Sequence, residues 1–197
     1  MSLLGKEKSG TLKGIHVAIV ATEGFEQVEL TKPKKALEDA GAHVDVIAPK
    51  AGTKSGKIKG WNMTDWGDSV KVDVELSEAK EGSYDALLLP GGVMSPDKLR
   101  MDVQAVAFIK SFFTSNKPVA AICHGPWTLI EADVVRGKTL TSWPSLQTDL
   151  RNAGAKWVDR EVVEDNGLVT SRKPDDIPAF NKTVIELFGR IAHHAAA

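Results

Sequence analysis

Lys117-Pro-Val-Ala-Ala-Ile-Cys-His-Gly-Pro126, continued by Trp127-Thr-Leu-Ile-Glu-Ala-Asp133, is the stretch on which the fold turns. Val119 to Ile122 is a short run of small and β-branched apolar residues, and past Gly125-Pro126 the residues Trp127, Ile130 and Val134 recur at helical spacing. The pattern reads as buried strand, sharp turn and helix, with Cys123 on the turn. A side chain placed there projects from the carboxyl end of a sheet towards a helix N-terminus, as in the nucleophile elbow of the α/β-hydrolases, and close approach requires small neighbours such as Ala121 and Gly125. The helix end favours a thiolate, which predicts a Cys123 pKa well below the free-cysteine value of about 8.5. His124 adds a base and a backbone N–H for an oxyanion. The plain alternative is that Cys123 ends a strand as an inert, buried, valine-like residue.

Outward from this elbow the chain alternates strand and helix. Ile15 to Ala21 is apolar almost throughout, as a parallel strand covered on both faces must be. Phe25, Val28, Leu30 and Leu37 support a helix ending at Gly41, bent or broken at Pro33, and Val44 to Ala48 is the next strand. Residues 50–74 carry Gly52, Gly56, Gly60 and Gly67 with Trp61, Met63 and Trp66, an excursion with a small hairpin, and Val70 to Val74 alternates like an edge strand. Asp85 to Leu89 forms a core strand ending in Pro90-Gly91-Gly92. Asp102 to Ser115 is a helix with Val103, Val106, Ile109 and Phe113 on one face. After the elbow come a strand at Thr139 to Thr141, a helix from Ser145 to Ala153 and a hairpin turning at Asn166-Gly167. Pro174 to His193 closes the chain as a helix with Ile177, Phe180, Val184 and Phe188 on its core face. The sum is a flavodoxin-like three-layer α/β/α sandwich with a mostly parallel sheet.

A chain of 197 residues, 42% hydrophobic and 26% charged, suits one domain. We place that domain at residues 14–194, with residues 1–13 as a flexible arm. The net charge of −1 gives no basic field for nucleic acid, so the expected substrate is a small molecule, which the family resemblance described below makes a small carbonyl compound, or a peptide. No signal-peptide core and no membrane span are visible, and the single cysteine excludes an intrachain disulfide and fits a reducing compartment, so the expected location is cytoplasmic. His16, His43, His193 and His194 have no partners at metal-ligand spacing, and the P-loop and dinucleotide patterns are absent, so neither a metal nor another cofactor is expected.

Ala121-Ile-Cys-His-Gly-Pro126 resembles the nucleophile signature of the PfpI family, the intracellular protease and stress-protein branch of the glutamine-amidotransferase-like superfamily. Further similarities follow in order: Glu23-Gly-Phe-Glu-Gln-Val-Glu-Leu30, Leu89-Pro-Gly-Gly92, Thr141-Ser-Trp-Pro-Ser145, Ala153-Gly-Ala-Lys-Trp-Val158 and Thr170-Ser-Arg-Lys-Pro-Asp175. The resemblance implies a cysteine-dependent hydrolase acting on peptides or on methylglyoxal-type glycation adducts. It implies that Glu26 accompanies Cys123, and a carboxylate beside a thiolate must then be protonated. A solvated residue in the first turn of a helix is the other reading of Glu26, and Glu29 is expected to be a plain surface charge. The family pattern would set the amides of Gly92 and His124, next to Gly91, as an oxyanion hole. It would also bring an acid from a neighbouring subunit to His124, at the position of Asp97, in a homo-oligomer. Here the family's glutamate is replaced by aspartate in a loop one residue longer, and a helix-capping role for Asp97 stays open. Trp127 and Trp143 are expected on the pocket or packed behind it. A redox sensor or chaperone with Cys123 oxidised to a sulfinate is the alternative function.

Overall fold

The computed structural model of the chain describes residues 11–194. In chain order the elements are β1 (His16–Val20), α1 (Gln27–Asp39), β2 (His43–Ala48), the hairpin β3 (Lys57–Asn62) and β4 (Asp65–Lys71), β5 (Val74–Glu75), β6 (Ala86–Leu89), α2 (Met94–Leu99), α3 (Val103–Thr114), β7 (Val119–Ile122) and α4 (Pro126–Glu131). They continue with β8 (Thr139–Leu140), α5 (Gln147–Asn152), β9 (Lys156–Trp157), β10 (Val162–Asp165), β11 (Leu168–Ser171) and α6 (Ile177–His194).

Seven strands form the main sheet in the order β10-β11-β7-β6-β1-β2-β5, parallel except for the antiparallel β10-β11 hairpin. The chain leaves β1 for β2 on one side and then crosses to β6 on the other, so the order reverses at β1 and a crevice opens above the carboxyl ends of β1, β6 and β7. Period-two alternation divides the apolar strand residues between two faces. Val17, Ile19, Val46 and Val169 pack with Leu30 and Leu37 of α1 and Phe180 and Phe188 of α6. Ala18, Val20, Leu87 and Ala121 pack with Phe108 and Phe112 of α3, Leu129 of α4 and Leu150 of α5. This is the flavodoxin-like three-layer sandwich read from the sequence.

Some local expectations are corrected. α1 runs through Pro33 without a break. The core face of α3 is Ala105, Phe108, Ile109 and Phe112, one position round from the one expected, and Val103 is exposed. The edge of the sheet is the two-residue β5, separate from β4. The expected arm is mostly outside the described residues, but Leu12 is fully buried and its N–H donates to the Ala40 carbonyl at 2.9 Å, so the packed domain begins before residue 14. Leu12→Ala is expected to cost about 2–5 kcal/mol, read as a lower denaturant midpoint at unchanged slope. A midpoint equal to that of the parent would return Leu12 to the arm.

Candidate active site

Cys123 follows β7 with φ +61°, in the left-handed region that a side chain adopts at a cost of about 1–2 kcal/mol. Backbone bonds hold it there: its N–H donates to the Ser171 carbonyl at 3.0 Å and its carbonyl accepts from Trp143 at 2.9 Å. Gly125 must be glycine, because a Cβ would sit 2.7 Å from the Leu89 carbonyl oxygen. Pro126 then opens α4 at a position where no N–H is needed. The elbow is thus a strained turn that aims the thiol into a cavity of about 570 Å³ lined by Glu26, Glu29, Gly92, His124 and Trp143 among others.

The carboxyl group at the sulfur belongs to Glu29, and this corrects the sequence assignment of that role to Glu26. Glu29 is completely buried beside Cys123 and accepts the Gly91 N–H on Oε2 at 2.9 Å. Its Oε1 has no hydrogen-bond partner among the described residues. Burial, with the Glu26 charge behind it, pushes its pKa from 4.5 up to about 8 against the pull of the Gly91 and Gly92 amides. Glu26 is the residue before α1, half-buried on the cavity wall, and burial raises its pKa against the pull of the Met63 amide.

The thiol also departs from expectation. Burial pushes its pKa up, and so does the Glu29 carboxylate, while the amides of Gly92 and His124 pull it down. A six-residue α4 does not offset a dry site with a carboxyl group in it. Cys123 and Glu29 are therefore a coupled pair, and two negative charges on it are excluded through neutral pH.

The glycines define the space. A Cβ on Gly91 would lie 2.5 Å from Glu29 Oε2 and 2.7 Å from Cys123 Cβ. Gly92, at φ +78°, has Glu26 N 2.5 Å from its missing Cβ. Because the Gly91 N–H is taken by Glu29, the donors left near the sulfur are the amides of Gly92 and His124, and Gly91 leaves the expected oxyanion set.

His124 Nδ1 is 3.3 Å from the sulfur and its Nε2 is 3.4 Å from Ser145 Oγ. Trp143 stacks on the imidazole at 6.1 Å and Trp127 meets it edge-on at 5.1 Å. Burial lowers the His124 pKa to about 4, so the ring is neutral at pH 7. Trp143 is on the cavity wall, whereas Trp127 packs behind His124 with its indole N–H on Asp149. Ser145, which ends the Thr141–Ser145 motif and has no role evident from sequence, lies on the outer nitrogen of His124. Asp97 lies exposed on α2, and no contact with His124 occurs within the chain among the described residues. The hairpin reaches the cavity through Trp61 and Met63, fastened by the Trp61 N–H to the Phe25 carbonyl at 2.7 Å. His16 and His43, which have no partners at metal-ligand spacing along the sequence, meet Asp45 across two paired strands.

A doubly wound sheet with a strained cysteine elbow, a buried glutamic acid at the sulfur and two glycines opposite defines a class of cysteine proteins built on the flavodoxin-like scaffold. Residues 15–187 match the DJ-1/PfpI family, and the chain belongs to it. General stress protein 18 of Bacillus subtilis is 45% identical over 175 residues, 88% of this chain and 98% of that protein. Protein/nucleic acid deglycase 2 of Escherichia coli is 47% identical over 175 residues, 88% of this chain and 97% of that one. Among solved structures, Drosophila melanogaster DJ-1beta superposes with a TM-score of 0.78 at 25% identity, covering 93% of this chain and 98% of its own. A two-domain Anabaena variabilis protein with DJ-1/ThiJ/PfpI-like and ferritin-like domains gives 0.82 at 35% identity, covering 89% of this chain and 48% of that chain. No helix among the described residues is long and apolar enough to cross a membrane.

Proposed function

We propose that the chain is a cysteine-dependent hydrolase that removes carbonyl adducts from amines, with peptides as the related substrate class. The observation that carries this reading is the pairing of Cys123 with the buried Glu29 beside the amides of Gly92 and His124. The relative named as a protein/nucleic acid deglycase supports the choice of glycation adducts.

In this scheme the Cys123 sulfur bonds to the substrate carbonyl carbon, and the π pair moves onto the oxygen, where the Gly92 and His124 amides meet it. The thiol proton goes to Glu29, which releases its own proton before the thiol does. With a peptide, collapse of the tetrahedral adduct breaks the carbon–nitrogen bond and the amine leaves with that proton. With a methylglyoxal-type adduct the sulfur takes the place of the amine on the carbinol carbon, the amine again leaving with the proton. An enediol shift that moves the C–H proton to the neighbouring carbonyl carbon and the hydroxyl proton to its oxygen then turns the hemithioacetal into a thioester. Water then cleaves the thioester. His124, neutral and clamped between two indoles and Ser145, relays protons to the leaving group.

The test is product formation from a methylglyoxal-glycated amino acid, from methylglyoxal and from an unstructured peptide, with Cys123→Ala as background. Product above that background on the adduct is expected. No product on any of the three, together with client binding by the sulfinate form, would replace the enzyme by a sensor.

A homo-oligomer completes the proposal, because Val93, Met101 and Val103, which flank the Asp97 helix in sequence, expose 55%, 74% and 80% of their surface. If Asp97 reaches a partner's imidazole, Asp97→Asn lowers turnover without changing the mass of the assembly in light scattering. Unchanged kinetics would leave Ser145 as the group that orients His124.

A further inference from the structure

β1 and β2 pair in parallel with His16 opposite His43 and Ala18 opposite Asp45. Side chains two apart on a strand share a face, so the register alone puts His16, His43 and Asp45 on one side of the sheet. They are at the amino-terminal ends of these strands, whereas Cys123 follows the carboxyl end of β7 in the same parallel sheet. The cluster is therefore separate from the cavity described above. Sequence spacing conceals it, because the ligating types are gathered across strands and not along one.

His16 Nε2 is 3.0 Å from Asp45 Oδ2, and His43 Nε2 is 3.3 Å from Asp45 Oδ1. The rings tilt towards each other with centroids 4.4 Å apart. One ligand atom from each residue lies within 4.8 Å of the other two. In a tetrahedral site with bonds of about 2.0–2.2 Å, ligand atoms sit about 3.3 Å apart, so the present spacing needs only small rotamer adjustments to close on an ion. The carboxylate is held in place: Tyr84 donates its phenol O–H to Asp45 Oδ2 at 3.0 Å, the outer hydrogen bond that fixes a metal ligand's orientation. The Asp45 side chain is 15% exposed and that of His43 is 72% exposed, which leaves one side open to solvent for entry and for a water ligand.

We propose that His16, His43 and Asp45 bind one divalent transition-metal ion of the zinc class, with a fourth position open to solvent. Two neutral imidazoles and one carboxylate are borderline ligands that suit zinc, cobalt and nickel and offer too few oxygens for calcium or magnesium. The frame is two hydrogen-bonded strands, so the site is preorganised; a hydrogen-bonded cluster without affinity for metal is the competing reading of the same contacts.

The experiment uses the full chain without an affinity tag, in a Cys123→Ser background that removes the thiol as a ligand. Cobalt titration is followed by d–d absorption, and zinc binding by calorimetry and by the rise in melting temperature that ligand linkage requires. We expect one equivalent per chain, no effect of magnesium, retention in a His193→Gln/His194→Gln variant and at least about tenfold weaker binding in His43→Gln. Because His43 is exposed, His43→Gln tests the site without threatening the fold, and circular dichroism verifies that. Absence of saturable cobalt and zinc binding in the Cys123→Ser chain overturns the proposal, as does binding of unchanged strength in His43→Gln or Asp45→Asn.

Discussion

Glu29→Gln is expected to stabilise the folded chain by up to about 5 kcal/mol at pH 8–9 and to leave it unchanged near pH 4. Unfolded, Glu29 ionises around 4.5; folded, it keeps its proton to about 8. Between those values the unfolded state has released a proton that the folded state still holds, so rising pH draws the equilibrium towards unfolding. The loss begins above 4.5 and is complete once pH passes about 8, and the gap between the two values sets its size. Glutamine is neutral throughout and keeps an oxygen for the Gly91 N–H, so the variant escapes the loss. Guanidinium unfolding of both proteins from pH 4 to pH 9 measures the difference. A gap that stays constant with pH, or a variant weaker at every pH, would mean that Glu29 ionises normally in the folded protein.

The scaffold was legible in the sequence because its signals are local and redundant. Val119–Ile122 is apolar without alternation, Asn166-Gly167 marks a two-residue hairpin with φ +47° and +78°, and each strand exit carries its own turn residues. Cys123, His124 and Gly92 were legible for the same reason, since an elbow and a glycine exit are defined within a few residues. The acid was not. Glu26 and Glu29 stand in one short motif, and choosing between them requires knowing which turn of α1 faces the sheet. A signal existed: Glu29, Pro33 and Leu37 recur every four residues and are all buried, which puts Glu29 on the inward stripe. The thiol's surroundings were misread because a helix N-terminus can be seen in a sequence, whereas burial and an opposing carboxyl group arise only when distant segments meet. Ser145 and the stacking of Trp143 on His124 are likewise products of a loop returning across the elbow, held by the Trp143 N–H to the Cys123 carbonyl.

Turnover should rise with pH along a single limb whose midpoint lies near 8, and Glu29→Gln should lower it by about 10²–10⁴-fold and erase that limb. Below the midpoint Cys123 and Glu29 both carry protons, and the sulfur has nowhere to deliver its own as it attacks. Loss of one proton from the pair supplies that place, and the fully ionised pair is held off to higher pH by burial and mutual repulsion. His124 adds no limb between pH 5 and 8, since burial has already made it neutral above about 4. Glutamine can accept the Gly91 N–H but cannot take the thiol proton, so its effect separates proton transfer from positioning; KM is expected to change little, with the loss in kcat. Glu26→Gln serves as the comparison, because it alters a half-buried wall residue and leaves the pair intact, and its profile should keep the midpoint near 8. A bell-shaped profile with a limb near pH 6–7 that survives in Glu29→Gln would return the role of base to His124 and reduce Glu29 to packing.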